Sequence, residues 1–410
     1  MKNLQKLSLI VFVLALFSSS VNAQILTKED SLSAGLTGRK SSFSMISGYG
    51  EVKVSYDQRF KTGTANLTRN VLFFGHKFSN NVYFFSEMEL EDAKVSDETS
   101  GEISMEQLFI KFNINPANYI TAGLFIPRIW LINENYLPTT FNGNDRPFVE
   151  RLVIPATWRE IGIGYYGTSR SIRGLNYSAG IMNGLNSKKF EFGNGIRDGR
   201  MAGSNATASN IAVTGALLYY IGNFRIQVST YYGGSSGLDQ IDSDTLNLPK
   251  GMFAVPISLS EANVRYNSTL FEFKALASVI NIKDASKINS AYNSNTPEQI
   301  TGAYFEAGLH ILHLFNPEAT KDLTLFSRIE KINLNAKVAE NGVKDDFQDK
   351  TFSVTGLTFS PVKGVVIKAD YVWRKTGNFN NDLHNGNPYS STRPFYNTNQ
   401  FFNIGLGYSF

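Results

Sequence analysis

Apolar and polar residues alternate along most of this chain. The pattern is clearest in the last eleven residues, where small or polar residues separate Phe402, Ile404, Leu406, Tyr408 and Phe410. Successive side chains of an extended strand point to opposite faces, so this segment would have one apolar face and one polar face. A soluble domain rarely leaves such an apolar row exposed, whereas lipid accommodates it. The pattern therefore predicts a strand that faces a membrane.

The same period of two recurs upstream with charged residues on the second face. In the segment 82–91, Val82, Phe84, Met88 and Leu90 alternate with a row that includes Glu87, Glu89 and Glu91. Three carboxylates on one side of a strand cannot face a dry core, so that side must be wet. Similar alternation over 107–114, 224–229 and 365–374 is typical of a membrane barrel with a polar lumen.

The spacing of these segments predicts the architecture. Candidate strands begin near residues 47, 66, 82, 102, 119, 158, 174, 209, 224, 258, 270, 300, 322, 350, 365 and 398. Short, turn-like connections follow the even-numbered strands, and mostly longer polar connections follow the odd-numbered ones. Outer-membrane barrels alternate in this way, whereas a soluble sandwich has no reason to do so. We expect an all-β, transmembrane antiparallel β-barrel of about sixteen strands over residues 46–410.

The N-terminus has the features of an export signal. Lys2 and Lys6 precede an apolar run over 7–17, and 21–23 reads Val-Asn-Ala, a small-x-small cleavage pattern. The apolar run is shorter than the ~20 residues that a membrane-spanning helix needs. The sequence predicts a signal peptide at 1–23, a polar periplasmic lead-in at 24–45 and location in the outer membrane of a Gram-negative-type bacterium.

Charge and cysteine content exclude several classes of function. Removing residues 1–23 deletes two lysines and no acid, so the formal charge falls from +4 to 4 − 2 = +2. A nearly neutral chain lacks the basic field that nucleic-acid binding requires. The chain has no cysteine, which excludes a lipoprotein anchor, disulfides and thiol chemistry. No cofactor or metal site is expected; the acidic cluster Asp239, Asp242 and Asp244 does not keep the EF-hand register.

The longest connection, residues 127–158 (the long loop), is unlike the others. It is rich in apolar and aromatic residues but broken by proline, and a loop of this length in a compact protein is usually functional. One interpretation folds it into the lumen, with Arg128, Arg146, Arg151 and Arg159 near a constriction; the other makes it a lid over the outer mouth. Further lumenal cations are expected on the strands, at Lys111, Arg225 and Lys274.

Three segments resemble the phosphate-selective porin O/P family: ITAGLFIPR at 120–128, PATWREIGIGYYG at 155–167 and GIMNG at 180–184. The resemblance implies a sixteen-stranded outer-membrane channel for small anions such as phosphate, a homotrimer, and a pore-constricting loop after Pro127. The final strand also resembles the closing strand of outer-membrane barrels. That resemblance implies that the row from Phe402 to Phe410 is read by the barrel-assembly machinery.

The charges on the loop and directly after it predict weak ion discrimination, because four acids match the four arginines: Glu134, Asp145, Glu150 and Glu160. The favoured function is passive diffusion of small hydrophilic solutes. One alternative is a saccharide or specific-solute channel that uses Trp130, Tyr136 and Phe141 as stacking surfaces. The other is a plugged barrel that serves in adhesion or assembly.

Enzymatic activity is not expected. A lipid-facing Ser–His esterase would need a serine beside a strand-borne histidine, and His76 has only Phe74 and Phe78 beside it on its own strand face. A serine on the neighbouring strand is left open. The pattern G-x-G-x-x-G at 162–167 lies in a predicted strand with no helix after it, so these are interpreted as strand glycines.

Overall fold

The computed structural model describes residues 42–93, 101–129, 131, 133, 136–190, 193–380, 383 and 394–410. Within them, sixteen antiparallel strands form one closed barrel, in which each strand pairs with its neighbours in sequence and β1 pairs with β16. The strands are β1 (Phe43–Asp57), β2 (Thr62–Lys77), β3 (Val82–Glu91), β4 (Glu102–Asn115), β5 (Asn118–Phe125), β6 (Glu160–Thr168), β7 (Leu175–Asn183), β8 (Ile211–Ile221), β9 (Phe224–Gly233), β10 (Ile257–Asn267), β11 (Phe271–Ile282), β12 (Gln299–His310), β13 (Asp322–Lys337), β14 (Asp349–Val362), β15 (Val365–Thr376) and β16 (Thr398–Ser409). The predicted all-β, sixteen-stranded barrel is confirmed.

The predicted strand starts agree closely with the observed ones; among the largest differences is β2, at 62 instead of 66. The predicted signal peptide, and the lead-in up to residue 41, lie outside the described residues. β1 begins at Phe43, so residues 43–45 of the predicted lead-in belong to the barrel wall.

The two faces of the strands are those that the alternation predicts. In β3, Glu87 is fully buried inside the barrel, whereas Met88, next to it, is 46% exposed on the outside. In β16, Phe402, Ile404 and Leu406 face outward at 41–47% exposure, while Asn403 between them is buried. The outer surface is therefore an apolar band, as lipid contact requires.

The lengths of the connections distinguish the two ends of the barrel. Most connections after the even-numbered strands are tight, such as 222–223 after β8 and 363–364 after β14. Gly364 adopts a φ of 86°, a left-handed backbone conformation that helps the chain reverse in this short connection and that glycine accepts without strain. Two connections depart from the alternation: 58–61 is short, and 311–321 is long enough to contain a helix.

Among the described residues, four short α-helices lie in the connections: α1 (Phe148–Leu152), α2 (Gln240–Leu246), α3 (Ala285–Tyr292) and α4 (Ile311–Phe315). Single 3-10 turns occur at Pro138–Thr140, Ser187–Lys189, Arg197–Gly199 and Asp346–Gln348. Across the part of the chain that the structure describes, no helix combines the length and apolar character needed to span a bilayer.

The inward face departs from the expected polar lumen at the outer end of β10–β13. Its inward side chains there are apolar and buried: Leu259, Leu276, Ile280, Ile300 and Ile332. The long loop covers them with Val149, Ile154 and Trp158. Where the loop covers the inner face of a strand and lipid covers its outer face, the side chains on both faces are apolar. The two-residue alternation of apolar and polar residues is therefore weaker there.

One predicted lipid-facing side chain is covered. Leu124 pairs with Leu108 on the outer face, but it is only 8% exposed, whereas Leu108 is 44% exposed. Gly203, in the connection 184–210, packs against it. That outer connection therefore reaches the outside of the barrel at the rim.

Candidate pore constriction

The long loop folds into the barrel and crosses to the opposite wall. It leaves the end of β5, and its 3-10 turn Pro138–Thr140 reaches β16, where the hydroxyls of Thr139 and Ser409 lie 3.1 Å apart. Glycines in β16 make room for it: a Cβ at Gly407 would lie 2.6 Å from Pro138, and a Cβ at Gly405 would collide with Asn144. The loop therefore packs against the small residues of the closing strand, β16.

Asp370 on β15 holds the tip of the loop. Its Oδ2 atom accepts hydrogen bonds from the backbone N–H and the side-chain amide of Asn144, both at 2.6 Å. Its Oδ1 atom accepts a hydrogen bond from Asn403 on β16 at 2.8 Å. The carboxylate is 2% exposed, so these bonds form where water competes weakly.

A buried charge network on β11–β13 supports the middle of the loop. Arg328 contacts Glu306 and Glu330, each at 2.8 Å, and donates to the carbonyl oxygen of Asn142 at 3.2 Å. Glu306 also pairs with Lys274 at 3.0 Å. Because each charged group in the network contacts a group of opposite charge, the groups can remain ionised although they are buried.

The start of α1 is joined to the same network. Glu330 accepts the backbone N–H of Val149 at 2.8 Å, and Glu150 accepts the hydroxyl of Tyr304 at 2.6 Å. Gly302 on β12 leaves the space, since a Cβ there would lie 2.7 Å from Val153. The helix is therefore fixed to the wall by hydrogen bonds and by close backbone approach.

The opposite wall, β1–β4, holds the beginning of the loop. Glu87 accepts hydrogen bonds from Tyr49 at 2.9 Å, Gln107 at 2.8 Å and the loop residue Tyr136 at 2.7 Å. Tyr136 is 1% exposed. It is therefore an anchor in this structure, and its ring is not presented as a solute-stacking surface.

The four predicted arginines lie in four different places. Arg128 stacks over Tyr166 at 5.1 Å, and Arg146 over Tyr136 at 5.2 Å. Arg159 pairs with Glu106 at 2.6 Å, whereas Arg151 is the most exposed and lies in the outer part of the lumen. They do not converge on one point. Trp130 lies outside the described residues.

The three predicted strand cations also face the interior. Lys111 lies over the ring of Tyr119 at 3.9 Å. Lys274 belongs to the Glu306 network described above. Arg225 donates to the hydroxyl of Tyr220 and to Gln227. All three are engaged with the wall, so they shape the field of the lumen from its surface.

An open cavity of about 320 Å³, here called the outer vestibule, lies between the loop and the wall formed by β14–β16 and β1. Four cations line it: Lys53, Arg151, Lys350 and Arg374. Asp145 is the one acid among the described residues that line it. It lies 2.6 Å from Lys53 and 3.5 Å from Arg151. Burial raises the pKa of Asp145, but these cations outweigh burial and hold the pKa below its usual value.

Sequence reasoning did not assign Lys53, Lys350 or Arg374 to a site. Each lies on the inward face near the outer end of its strand, in β1, β14 and β15. Parity identifies that face, but β1 is far in sequence from β14 and β15. Only closure of the barrel between β1 and β16 brings Lys53 close to the other two.

A serine on the neighbouring strand does approach His76. Ser44 is its cross-strand partner, and their Oγ and Nδ1 atoms lie 2.7 Å apart; Ser42 lies 3.2 Å from Nε2. Both ring nitrogens are thus occupied by hydroxyls. The glycines of the G-x-G-x-x-G segment lie within β6, as interpreted from the sequence.

Comparison with known proteins supports the fold. No family model matches the chain. A protein of Aquifex aeolicus, described as uncharacterized, is 28% identical over 341 residues, which are 80% of this chain and 74% of that protein. Among solved structures, OmpF of Salmonella typhi has a TM-score of 0.55 at 12% identity, covering 90% of this chain and 97% of that one. The fold is that of outer-membrane porins.

Two further solved structures of outer-membrane proteins have the same architecture. The outer-membrane channel DcaP of Acinetobacter baumannii has a TM-score of 0.54 at 13% identity, covering 90% of this chain and 98% of that one. An anion-selective porin from Comamonas acidovorans has a TM-score of 0.50 at 10% identity, covering 90% of this chain and all of that one. At these identities the similarity concerns the architecture alone. Evidence for the transported solute must therefore come from the side chains that line the lumen of this protein.

Proposed function

We propose that this protein is an outer-membrane porin, a passive diffusion channel for small hydrophilic solutes that is narrowed by the long loop. The observation that carries the proposal is the loop's path. It runs through the lumen, is fixed to both walls, and leaves the outer vestibule beside its tip. A wall with an apolar exterior and a charged interior is the arrangement that a solute channel requires.

A mild preference for anions belongs to this proposal. The vestibule has four cations and one acid in its lining, and charges there are weakly screened because the surrounding wall has a low dielectric constant. The resemblance to phosphate-selective porins agrees with a preference for anions. The separation of Arg128, Arg146, Arg151 and Arg159 argues for a general preference instead of a phosphate-specific site.

A plugged barrel is the second candidate, and one observation favours it. One apolar cluster joins the long loop to the inward face of β10–β13 at the outer end of the barrel. A barrel filled in this way would serve adhesion or assembly and would carry no steady current.

Planar bilayer recording of the purified, folded protein separates the two. We expect a steady ohmic current, and in a potassium chloride gradient a reversal potential slightly toward the value for chloride. Absence of a steady current from correctly folded barrels would reject the diffusion channel in favour of the plugged barrel. A reversal potential on the cation side would reject the anion preference alone.

The remaining parts of the proposal concern the cell. We infer export by the signal peptide at 1–23, insertion by the barrel-assembly machinery through the row from Phe402 to Phe410, and assembly as a homotrimer. The outward orientation of that row in β16 supports the second of these. Chemical cross-linking of the native protein in membranes tests the trimer, which a ladder stopping at the monomer would contradict.

A further inference from the structure

A groove of about 580 Å³ lies on the outside of the barrel, at the outer ends of β9–β13. Five of its lining residues form one row across these strands, each the register partner of the next: Tyr232, Ser258, Asn281, Gln299 and Lys337. Tyr232 continues the outward parity of Ile226 and Val228, so the row faces away from the lumen. This lipid-side groove is therefore separate from the outer vestibule.

The row lies at the depth where lipid headgroups begin. The outward residues of β11 are apolar from Phe271 to Val279. These nine residues match the roughly 9–11 residues with which a tilted strand crosses the hydrocarbon. Asn281 is the next outward residue, and it is polar and exposed. The groove therefore lies at the boundary between lipid and water, on the side of the long connections.

The row offers groups that bind sugar hydroxyls. The side-chain amide of Gln299 donates to Oδ1 of Asn281 at 2.9 Å, which leaves the amide N–H groups of Asn281 as donors. The hydroxyl of Ser258 lies next to them in the row, and the ring of Tyr232 is 43% exposed. Amides and hydroxyls beside an accessible aromatic ring both donate to and accept from sugar hydroxyls, while the ring covers an apolar sugar face.

Lys283 adds a positive charge to the groove. It is exposed and lines the cavity. Glu298 pairs with Lys337 at 2.5 Å, and Asp284 pairs with Lys287 at 3.1 Å. Among the described residues, no carboxylate lies within ion-pair distance of the Nζ atom of Lys283. Its ammonium group is therefore available to an anionic group such as a phosphate.

The lipid-facing wall forms a shallow depression below the groove. Ala262, Ala277 and Ala303 are cross-strand neighbours on β10, β11 and β12, and all three are exposed on the outer face. They lie two outward positions closer to the membrane centre than Asn281. Small side chains allow an apolar chain to approach the backbone closely, so acyl chains can pack here while their headgroup occupies the groove.

We propose that the lipid-side groove binds the headgroup of a phosphorylated glycolipid of the outer leaflet. Lys283 receives the phosphate, Asn281 and Ser258 bind the sugar hydroxyls, and the acyl chains lie over the three alanines. A phospholipid would supply the phosphate but no sugar for the polar row, and its headgroup would fill little of the cavity. The inference rests on the outer-membrane location and not on conduction.

Native mass spectrometry of the refolded, lipid-free barrel tests the binding, because it resolves each bound lipid by mass. The barrel is incubated with equal amounts of diphosphoryl lipid A, an unphosphorylated diglucosamine lipid and phosphatidylglycerol. It should retain one diphosphoryl lipid A, favoured at least about tenfold over each of the others, since each lacks one of the two interactions.

Two variants assign the interactions to their residues. Lys283→Gln should reduce the preference for the phosphorylated over the unphosphorylated glycolipid about tenfold. Asn281→Ala should weaken retention of the glycolipid and leave that of phosphatidylglycerol unchanged. The matched control is Lys363→Gln, which removes an exposed cation from the periplasmic turn after β14 and should change neither. Heat-modifiable mobility on gels confirms that each variant is folded.

The outcomes separate the possible occupants. Equal retention of phosphatidylglycerol and diphosphoryl lipid A would overturn the glycolipid and indicate a phospholipid site. Equal effects of Lys283→Gln and Lys363→Gln would overturn the groove as the site. A conducting barrel that retains no glycolipid would overturn this inference and leave the porin function standing. A barrel that retains the glycolipid but never conducts would support the groove and reject the diffusion channel.

Discussion

Replacing Asp370 by alanine should release the tip of the long loop. The substitution removes both hydrogen bonds from Asn144 to Oδ2, each 2.6 Å long and made to a carboxylate that is 2% exposed. Hydrogen bonds to charged groups contribute about 1.5–3 kcal/mol each, so the two together hold the tip by about 3–6 kcal/mol. At the lower bound, the ratio of released to docked tip rises about a hundredfold.

Single-channel recording at fixed salt measures the release. We expect Asp370→Ala to show larger mean conductance and added current noise, since the tip then moves within the lumen. Asp370→Asn should lie between this variant and the native protein, because an amide oxygen still accepts one bond. The control is Asn403→Ala, which removes the third hydrogen bond of the same carboxylate without touching the loop, and it should conduct like the native channel.

The reasoning would be refuted if Asp370→Ala and Asn403→Ala gave the same conductance and noise as the native channel. That result would show that the other attachments, chiefly Asn142 on β11–β13 and Asp145 on Lys53, hold the tip without Asp370. Equal changes in both variants would instead indicate a general loosening of β15 and β16.

Three further predictions concern the wall, the closing strand and the lipid face. Ile226→Arg should cost about 2–4 kcal/mol of barrel stability, because Ile226 is 43% exposed to lipid; Gln227→Ala on the buried inner face should cost less and change conductance, and equal stability losses in urea titration would contradict the parity assignment. Deletion of Phe410 should slow insertion and leave the chain in the periplasm, so normal outer-membrane levels would count against the assembly signal. Purified protein should release no fatty acid from phospholipid, since among the described residues no carboxylate or amide side chain orients His76 as a base for the Ser44 hydroxyl; release that is abolished by His76→Ala would establish an enzyme.

The sequence predicted the wall of the barrel well, because each strand carries its own two-residue period. Glu87 inside and Met88 outside follow from local alternation alone. Leu124 was predicted to face lipid and is covered by Gly203, since alternation reports the neighbours within a strand but not a distant connection that folds over it.

The interior was harder to predict because its contacts join distant parts of the chain. Counting charges along 127–160 paired the arginines with acids of the same segment. In the structure Arg159 meets Glu106 on β4, and Arg328 on β13 reaches the backbone of Asp145. The vestibule likewise joins β1 to β14–β16, and no local pattern records that the first strand meets the last ones.

The contacts of the long loop also determine when in folding the passage can narrow. Asn144 is 226 residues from Asp370, and Thr139 is 270 residues from Ser409. Contacts so distant in sequence form late, after the intervening chain has found its place. The loop is synthesised before β15 and β16, but the surface on which it packs is complete only when these two strands have joined the barrel. Docking of the loop tip therefore belongs to the same late stage of folding as closure of the barrel between β1 and β16.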